Sequence, residues 1–175
     1  MIESLITSKT RIKLLLRFFL NSETTGYLRS LETDFGESTN SIRVELNRFE
    51  HAGLLNSNYD GKKKVFYANT SHPLYSDINN MLKKMIGIDQ IIDNILEHIG
   101  YLHSAYLTGS FAEGKDSKNI ELALVGNNLD ERYINDLVTK TETYIKRKIA
   151  YLILTQEELV RRYENKSILL IWKLN

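Results

Sequence analysis

Apolar residues recur at spacings of three and four over the first fifty positions: Ile12, Leu15, Leu16 and Phe19, then Leu28 and Leu31, then Ile42, Leu46 and Phe49. That period predicts three amphipathic helices, over about Ser8–Leu20, Tyr27–Asp34 and Thr39–Ala52. Asn21–Gly26 reads as a loop, and Phe35-Gly36-Glu37-Ser38 as a tight connection in which Gly36 can take a positive φ. Ser38 is placed to cap the third helix and Gly53 to end it. The pattern then changes. Leu54-Leu55 opens a strand, Asn58-Tyr59-Asp60-Gly61 carries the Asp-Gly pair of a hairpin turn, and Lys62–Ala68 returns as its partner, with Val65, Phe66 and Tyr67 favouring extended backbone.

The chain's one proline, Pro73, follows Ala68-Asn69-Thr70-Ser71-His72, a stretch of small and polar residues suited to a boundary. Three segments are expected: 1–72, a connector over 73–100, and 101–175. The connector reads as helical over Asp77–Ile86 and again over Ile88–Ile99, interrupted at Gly87. Strands are then expected at Ser104–Thr108, Asn119–Val125 and Ile149–Leu154. The last of these is apolar throughout, which predicts a central strand. Helices are expected at Asp130–Lys146, Gln156–Glu164 and Ser167–Trp172. The fold class is α+β.

Composition narrows the chemistry. The 175 residues carry no cysteine, which excludes disulfides, thiolate metal sites and a cysteine nucleophile, and suits a reducing, cytoplasmic setting. His51, His72, His98 and His103 lack metal-ligand spacing, so no metal is expected on them. No apolar run is long enough to span a membrane, and the first residues do not read as a secretion signal. Net charge is +1. Positions 1–71 hold ten basic and eight acidic residues, the remainder thirteen and fourteen. Any contact with nucleic acid must therefore rest on locally placed charge.

Thr39, Asn40, Arg43 and Asn47 fall on the side of the third helix away from Ile42, Leu46 and Phe49. Amides and a guanidinium there match adenine and guanine edges. Lys62, Lys63 and Lys64 follow the hairpin turn, where they can reach phosphates. The order of these features over residues 8–72, from Ile42-Arg43-Val44-Glu45-Leu46-Asn47 through Asp60-Gly61-Lys62-Lys63-Lys64-Val65-Phe66-Tyr67, resembles bacterial winged-helix regulators. The resemblance implies double-stranded DNA as partner and a homodimer on inverted half-sites, with Ser38, Thr39, Asn40, Arg43, Asn47 and Lys62–Lys64 at the interface.

Leu107-Thr108-Gly109-Ser110-Phe111-Ala112-Glu113-Gly114 leads, nine residues after Ser110, to Asn119-Ile120-Glu121-Leu122. Over residues 101–155 this resembles the nucleotidyltransferase family. There a Gly-Ser turn holds a triphosphate, two acids at alternate positions of the next strand hold magnesium, and a later strand supplies a third. Alternate strand residues share a face, so two carboxylates there can share a metal. Here the first acid is Asn119, the second is Glu121, and Ile149–Leu154 has none. One carboxylate is too little charge to strip and hold magnesium, so no metal, cofactor or catalytic residue is expected. Gly109, Ser110, Asn119 and Glu121 are retained as possible nucleotide contacts. The expectation is a DNA-binding regulator with a degenerate, dimerising or sensing second domain. The rival is an active nucleotide-transferring enzyme with a winged-helix docking module; a third option is a pure protein-interaction module.

Overall fold

The computed structural model describes residues 6–89 and 101–174. The chain divides into two compact units. One runs to Leu82 and takes in Gly114–Asp116; the other holds Lys83–Glu113 and Ser117 onward. The expected connector therefore gives its first turns to the first unit, while its Ile88–Ile99 helix lies mostly outside the described residues.

In the first unit, α1 (Lys9–Leu15) is capped by Ser8, whose side chain accepts from the Arg11 amide. It continues as a π-helical turn, Leu16–Leu20. The expected stripe Ile12, Leu15, Leu16 and Phe19 is buried, and so are Leu14, Phe18 and Leu20. A short strand follows, β1 (Thr25–Tyr27), then α2 (Leu28–Phe35) and α3 (Thr39–His51). The wing is β2 (Leu55–Asp60) with β3 (Lys63–Ala68), and the sheet order is β1-β3-β2, antiparallel throughout. Helix, strand, two helices and a hairpin in this order form a winged helix.

Two details differ from expectation. The three residues of β1 fell in the predicted loop and second helix, because so short a strand leaves no period to read. The hairpin loop is Gly61-Lys62, since Asp60 pairs with Lys63. Gly61 takes φ +59 at the first loop position, the place that a type II′ turn reserves for glycine.

The unit is tied by charge as well as by packing. Glu45 of α3 is buried, at 6% exposure. Arg11 of α1 donates to it twice, Nε to Oε2 at 2.8 Å and Nη2 to Oε1 at 3.1 Å. Arg48 Nη1 adds a third bond to Oε1 at 2.9 Å. Toward the end of α2, Lys13 binds the Phe35 carbonyl and Glu37, and Arg17 binds Asp34. The start of α4 (Tyr75–Ile86) joins the same core. Tyr75 stacks at 5.7 Å on Phe19, and Asn79 Nδ2 donates to the Phe19 carbonyl.

The second unit is a four-stranded sheet of order β6-β5-β4-β7. Its strands are β4 (Tyr101–Thr108), β5 (Asn119–Asn127), β6 (Lys148–Leu154) and β7 (Leu169–Lys173). A single helical turn, α5 (Gly109–Ala112), follows β4; α6 (Glu131–Ile145) connects β5 to its parallel neighbour β6; α7 (Gln156–Tyr163) precedes β7. Ala123, Val125, Leu154 and Leu159 form an apolar cluster under α7, joined by Tyr106, Tyr163 and Ile168. On the opposite face Tyr151 Oη donates to Asn135 of α6.

Two expectations for this unit are corrected. Ile149–Leu154 is an edge strand, not a central one. Its composition is apolar, but only Ile149 and Leu154 are buried, and Leu152 is 37% exposed. The segment expected as a helix over Ser167–Trp172 forms β7, antiparallel to β4, where Leu169, Leu170 and Trp172 find partners. Six residues carrying Ile, Leu and Trp are too few to settle a helical period, and pairing to β4 decides the outcome.

Hydrogen bonds from Arg11, opposed by burial and helped by the charges of Arg11 and Arg48, hold the Glu45 carboxyl below the usual range. Because the folded value is the lower one, this stabilisation is present above the ordinary carboxylate pKa of about 4.3 and lost as pH falls through the folded value. Replacing Glu45→Gln is expected to cost on the order of 2 kcal/mol at neutral pH. It should also flatten the acid limb of the stability curve. Urea denaturation of both proteins between pH 7 and pH 3 measures this, and parallel curves would show that Glu45 titrates without a folding consequence.

Candidate nucleic-acid interface

Ser38 begins the site as a cap. Its Oγ accepts from the Ser41 amide at 3.2 Å and lies 2.7 Å from Ser41 Oγ. This leaves the first turn of α3 exposed and ordered. Ile42, Leu46 and Phe49 point inward and are buried. Asn40, Arg43 and Asn47 point outward and are exposed, and Thr39 is half-buried. Val44, on the same outer surface, is 40% exposed. Sequence reasoning passed over it because its apolar side chain reads as core.

Thr39, Arg43 and Asn47 line an open cleft of about 610 Å³ between α3, the start of α2 and the wing. Lys62, Lys63 and Lys64 close it on the wing side, with Phe66 and Leu46 behind. The structure thus brings together six of the eight residues expected at a DNA surface; Ser38 and Asn40 lie outside the cleft. It adds Tyr27, Leu28, Arg29 and Glu32 from β1 and α2. Arg29 is exposed and cationic. Its contribution was invisible in sequence because it depends on how α2 is set beside α3.

The three wing lysines are not equivalent. Lys64 Nζ is bound to Glu50 Oε2 at 2.7 Å and lies 5.1 Å from the Phe66 ring centroid. Lys63 Nζ sits 4.8 Å above the Tyr27 ring. Lys62, at the tip, is exposed and makes no ion pair among the described residues. Arg43 likewise has no acidic partner among them. The Glu50 carboxyl is held below its ordinary value by the hydrogen bond from Lys64, then by that from Ser57, against the opposing effect of burial. Cations with no acidic partner are therefore concentrated at Arg29, Arg43, Lys62 and Lys63, around the rim of the cleft. The cleft lining carries five cations and one acid, Glu32, so it attracts anions, and α3 presents hydrogen-bond donors beside it.

The residues expected near a nucleotide lie in the second unit. Gly109 takes φ +62 where β4 turns into α5, a conformation that favours glycine. Thr108 pairs with Glu121 across the sheet, and the Glu121 carboxylate lies over Gly109; a Cβ at position 109 would stand 2.3 Å from Oε1. Ser110 is half-buried in the same turn. Asn119 and Glu121 are exposed on either side of buried Ile120, so they share a face. Their neighbours on β6 are Lys148 and Ala150. On that face β6 thus offers an ammonium and a methyl group, and no carboxylate. Lys148 is itself bound to Glu142 at 2.7 Å. Among the described residues no group of three or more potential ligands could hold a metal ion, and no helix is long and apolar enough to cross a membrane.

No family model matches the sequence, and no curated protein matches it. Among solved structures, the chain is similar to reduced HlyU from Vibrio cholerae, at 12% identity over 49% of this chain and 85% of that one, with a TM-score of 0.39. It is similar to a predicted DNA-binding transcriptional regulator from E. coli, at 18% identity over 47% of this chain and 83% of that one, with a TM-score of 0.37. It is also similar to a candidate nucleotidyltransferase from Sulfolobus solfataricus, at 20% identity over 56% of this chain and 87% of that one, with a TM-score of 0.39.

Proposed function

We propose that this chain is a transcriptional regulator that reads double-stranded DNA with α3 and grips the backbone with its wing. The observation that carries the reading is the cleft itself: Thr39, Arg43 and Asn47 of α3 face the same open space as Arg29 and the wing lysines. An α-helix fits the major groove, where each base pair presents a distinct pattern of donors and acceptors. Arg43 suits guanine, Asn47 and Asn40 suit adenine, and exposed Val44 suits a thymine methyl. Lys62 and Arg29 supply phosphate contacts that fix register without reading sequence.

The second unit then serves as a dimerisation or sensing domain. Homodimerisation matches a protein whose single DNA-reading face has few cations with no acidic partner, because two half-sites double the contacts. The effector class is a nucleotide or another small molecule, and with the Glu121 carboxylate over Gly109 the turn suits one that brings a donor or a cation to it. Nucleotide transfer is disfavoured by the residues themselves: on the face of Asn119 and Glu121, β6 offers Lys148 and Ala150.

Selection of binding sites from a random duplex library with the purified protein tests this reading. A two-fold symmetric site is expected, with affinity that falls steeply as salt rises. Failure to enrich any sequence, together with salt-insensitive retention, would remove the proposal. On the selected site, Arg43→Ala should relax preference at one base pair, with a loss of about 1–3 kcal/mol there. Lys62→Ala should instead weaken all sequences alike and make the salt slope shallower by about 0.9 per protomer. Equal behaviour of the two variants would show that the roles are wrongly assigned.

A further inference from the structure

Glu50, near the end of α3, reaches both strands of the wing with one carboxylate. Oε1 accepts from Ser57 Oγ of β2 at 2.5 Å, and Oε2 receives Lys64 Nζ of β3 at 2.7 Å. In the hairpin register Ser57 pairs with Phe66, and Tyr59 with Lys64, so the two gripped residues are diagonal neighbours on the same face. The base of that face is fixed by packing, since Leu55 and Phe66 are buried. Nearer the tip, Tyr59, Asp60, Gly61, Lys62 and Lys63 are all exposed. The Glu50 grip is the outermost polar tie between wing and α3 among the described residues.

We propose that Glu50 is a positioning residue: by holding Ser57 and Lys64 together it sets the angle of the wing to α3, and so decides where Lys62 meets the DNA backbone. This rests on the DNA-binding reading and deepens it. The tip lies three residues beyond Val65, the last residue of β3 paired to β1, about 10 Å at roughly 3.3 Å per residue, so a swing of roughly 20° carries it about 3.5 Å. That is close to the ~3.4 Å step of one nucleotide along the duplex. A hairpin held only at its base can therefore miss the phosphate it is built to reach. Ser57 accounts for the second half of the grip. An acid needed only to neutralise Lys64 would have no use for a hydroxyl on the opposite strand.

The two roles predict opposite results. If Glu50 positions the wing, Glu50→Ala in the full chain weakens binding to the selected duplex. It also makes the salt slope shallower by about 0.9 per protomer, the loss of one phosphate contact. Backbone protection under the wing disappears in a hydroxyl-radical footprint, while the base preference assigned to Arg43 persists. If Glu50 only neutralises Lys64, the same variant frees a cation, binds tighter and steepens the slope; that result, or unchanged binding, overturns the proposal. Nuclear relaxation of the backbone amides of residues 57–64 gives a readout without DNA. Order in the wing should fall in Glu50→Ala, and unchanged order overturns the proposal even if the wild-type protein binds no DNA, a result that would separately defeat the DNA reading. Ser57→Ala and Lys64→Met each release one half of the grip. Each should show part of the same loss of wing order, and they decide the matter if Glu50→Ala does not fold.

Discussion

The buried carboxylate of Glu45 is the constraint on which the first unit depends. A charge at 6% exposure is costly unless its lone pairs are filled, and here three guanidinium hydrogen bonds fill them. Two come from Arg11, thirty-four residues away on α1, so the bond fixes how α3 lies against α1. Apolar contacts at Ile42, Leu46 and Phe49 bury one side of α3 but tolerate sliding and rotation, whereas a bidentate guanidinium–carboxylate pair does not. Once Glu45 is held, the remaining faces of α3 are assigned. Arg43 and Asn47 turn toward the cleft, and Arg48 is drawn back to Glu45 and away from it.

The same logic of pairing governs the wing. A cation already bound to a carboxylate adds little to a phosphate site, because its partner must be displaced before it can contribute. Counting lysines therefore overstates the electrostatics of this hairpin. Lys64 is committed to Glu50, Lys63 lies over Tyr27, and the tip is left to Lys62. A nearly neutral chain can still present a positive rim when its acids are spent inward on specific cations. On the proposed reading, that distribution favours placement over bulk attraction.

How much of this was legible in sequence follows from the range of the interactions. The three helices were visible because their period is local, and the Ser38 cap and the outer face of α3 followed from that period. The strand β1 was not, because its three residues are ordered only by pairing with Val65–Tyr67, some forty positions later. The helix expected at Ser167–Trp172 failed for the same reason: Leu169–Lys173 becomes a strand through its pairing with β4. The strand Ile149–Leu154 shows that apolar composition does not place a strand within a sheet, since exposed Leu152 is as apolar as buried Ile149. At the cleft, Arg43 and Asn47 could be read from the helix, whereas Arg29, Tyr27 and the Glu50–Lys64 pair arise from packing between separate elements.

In the second unit the chemistry of the turn at Gly109 is set by the side chains beside it. Gly109 takes the left-handed conformation, and Glu121 lies directly against it. An anion entering that turn would meet a carboxylate first. Magnesium bridges such a pair of negative charges only where several oxygen ligands hold it. Here the flanking positions are an amide at Asn119, a methyl at Ala150 and an ammonium at Lys148 already bound to Glu142. Without further carboxylates the charge of Glu121 is set against a phosphate and not joined to it. The physical consequence is a turn better suited to a ligand that brings a donor or a cation to Glu121 than to a triphosphate.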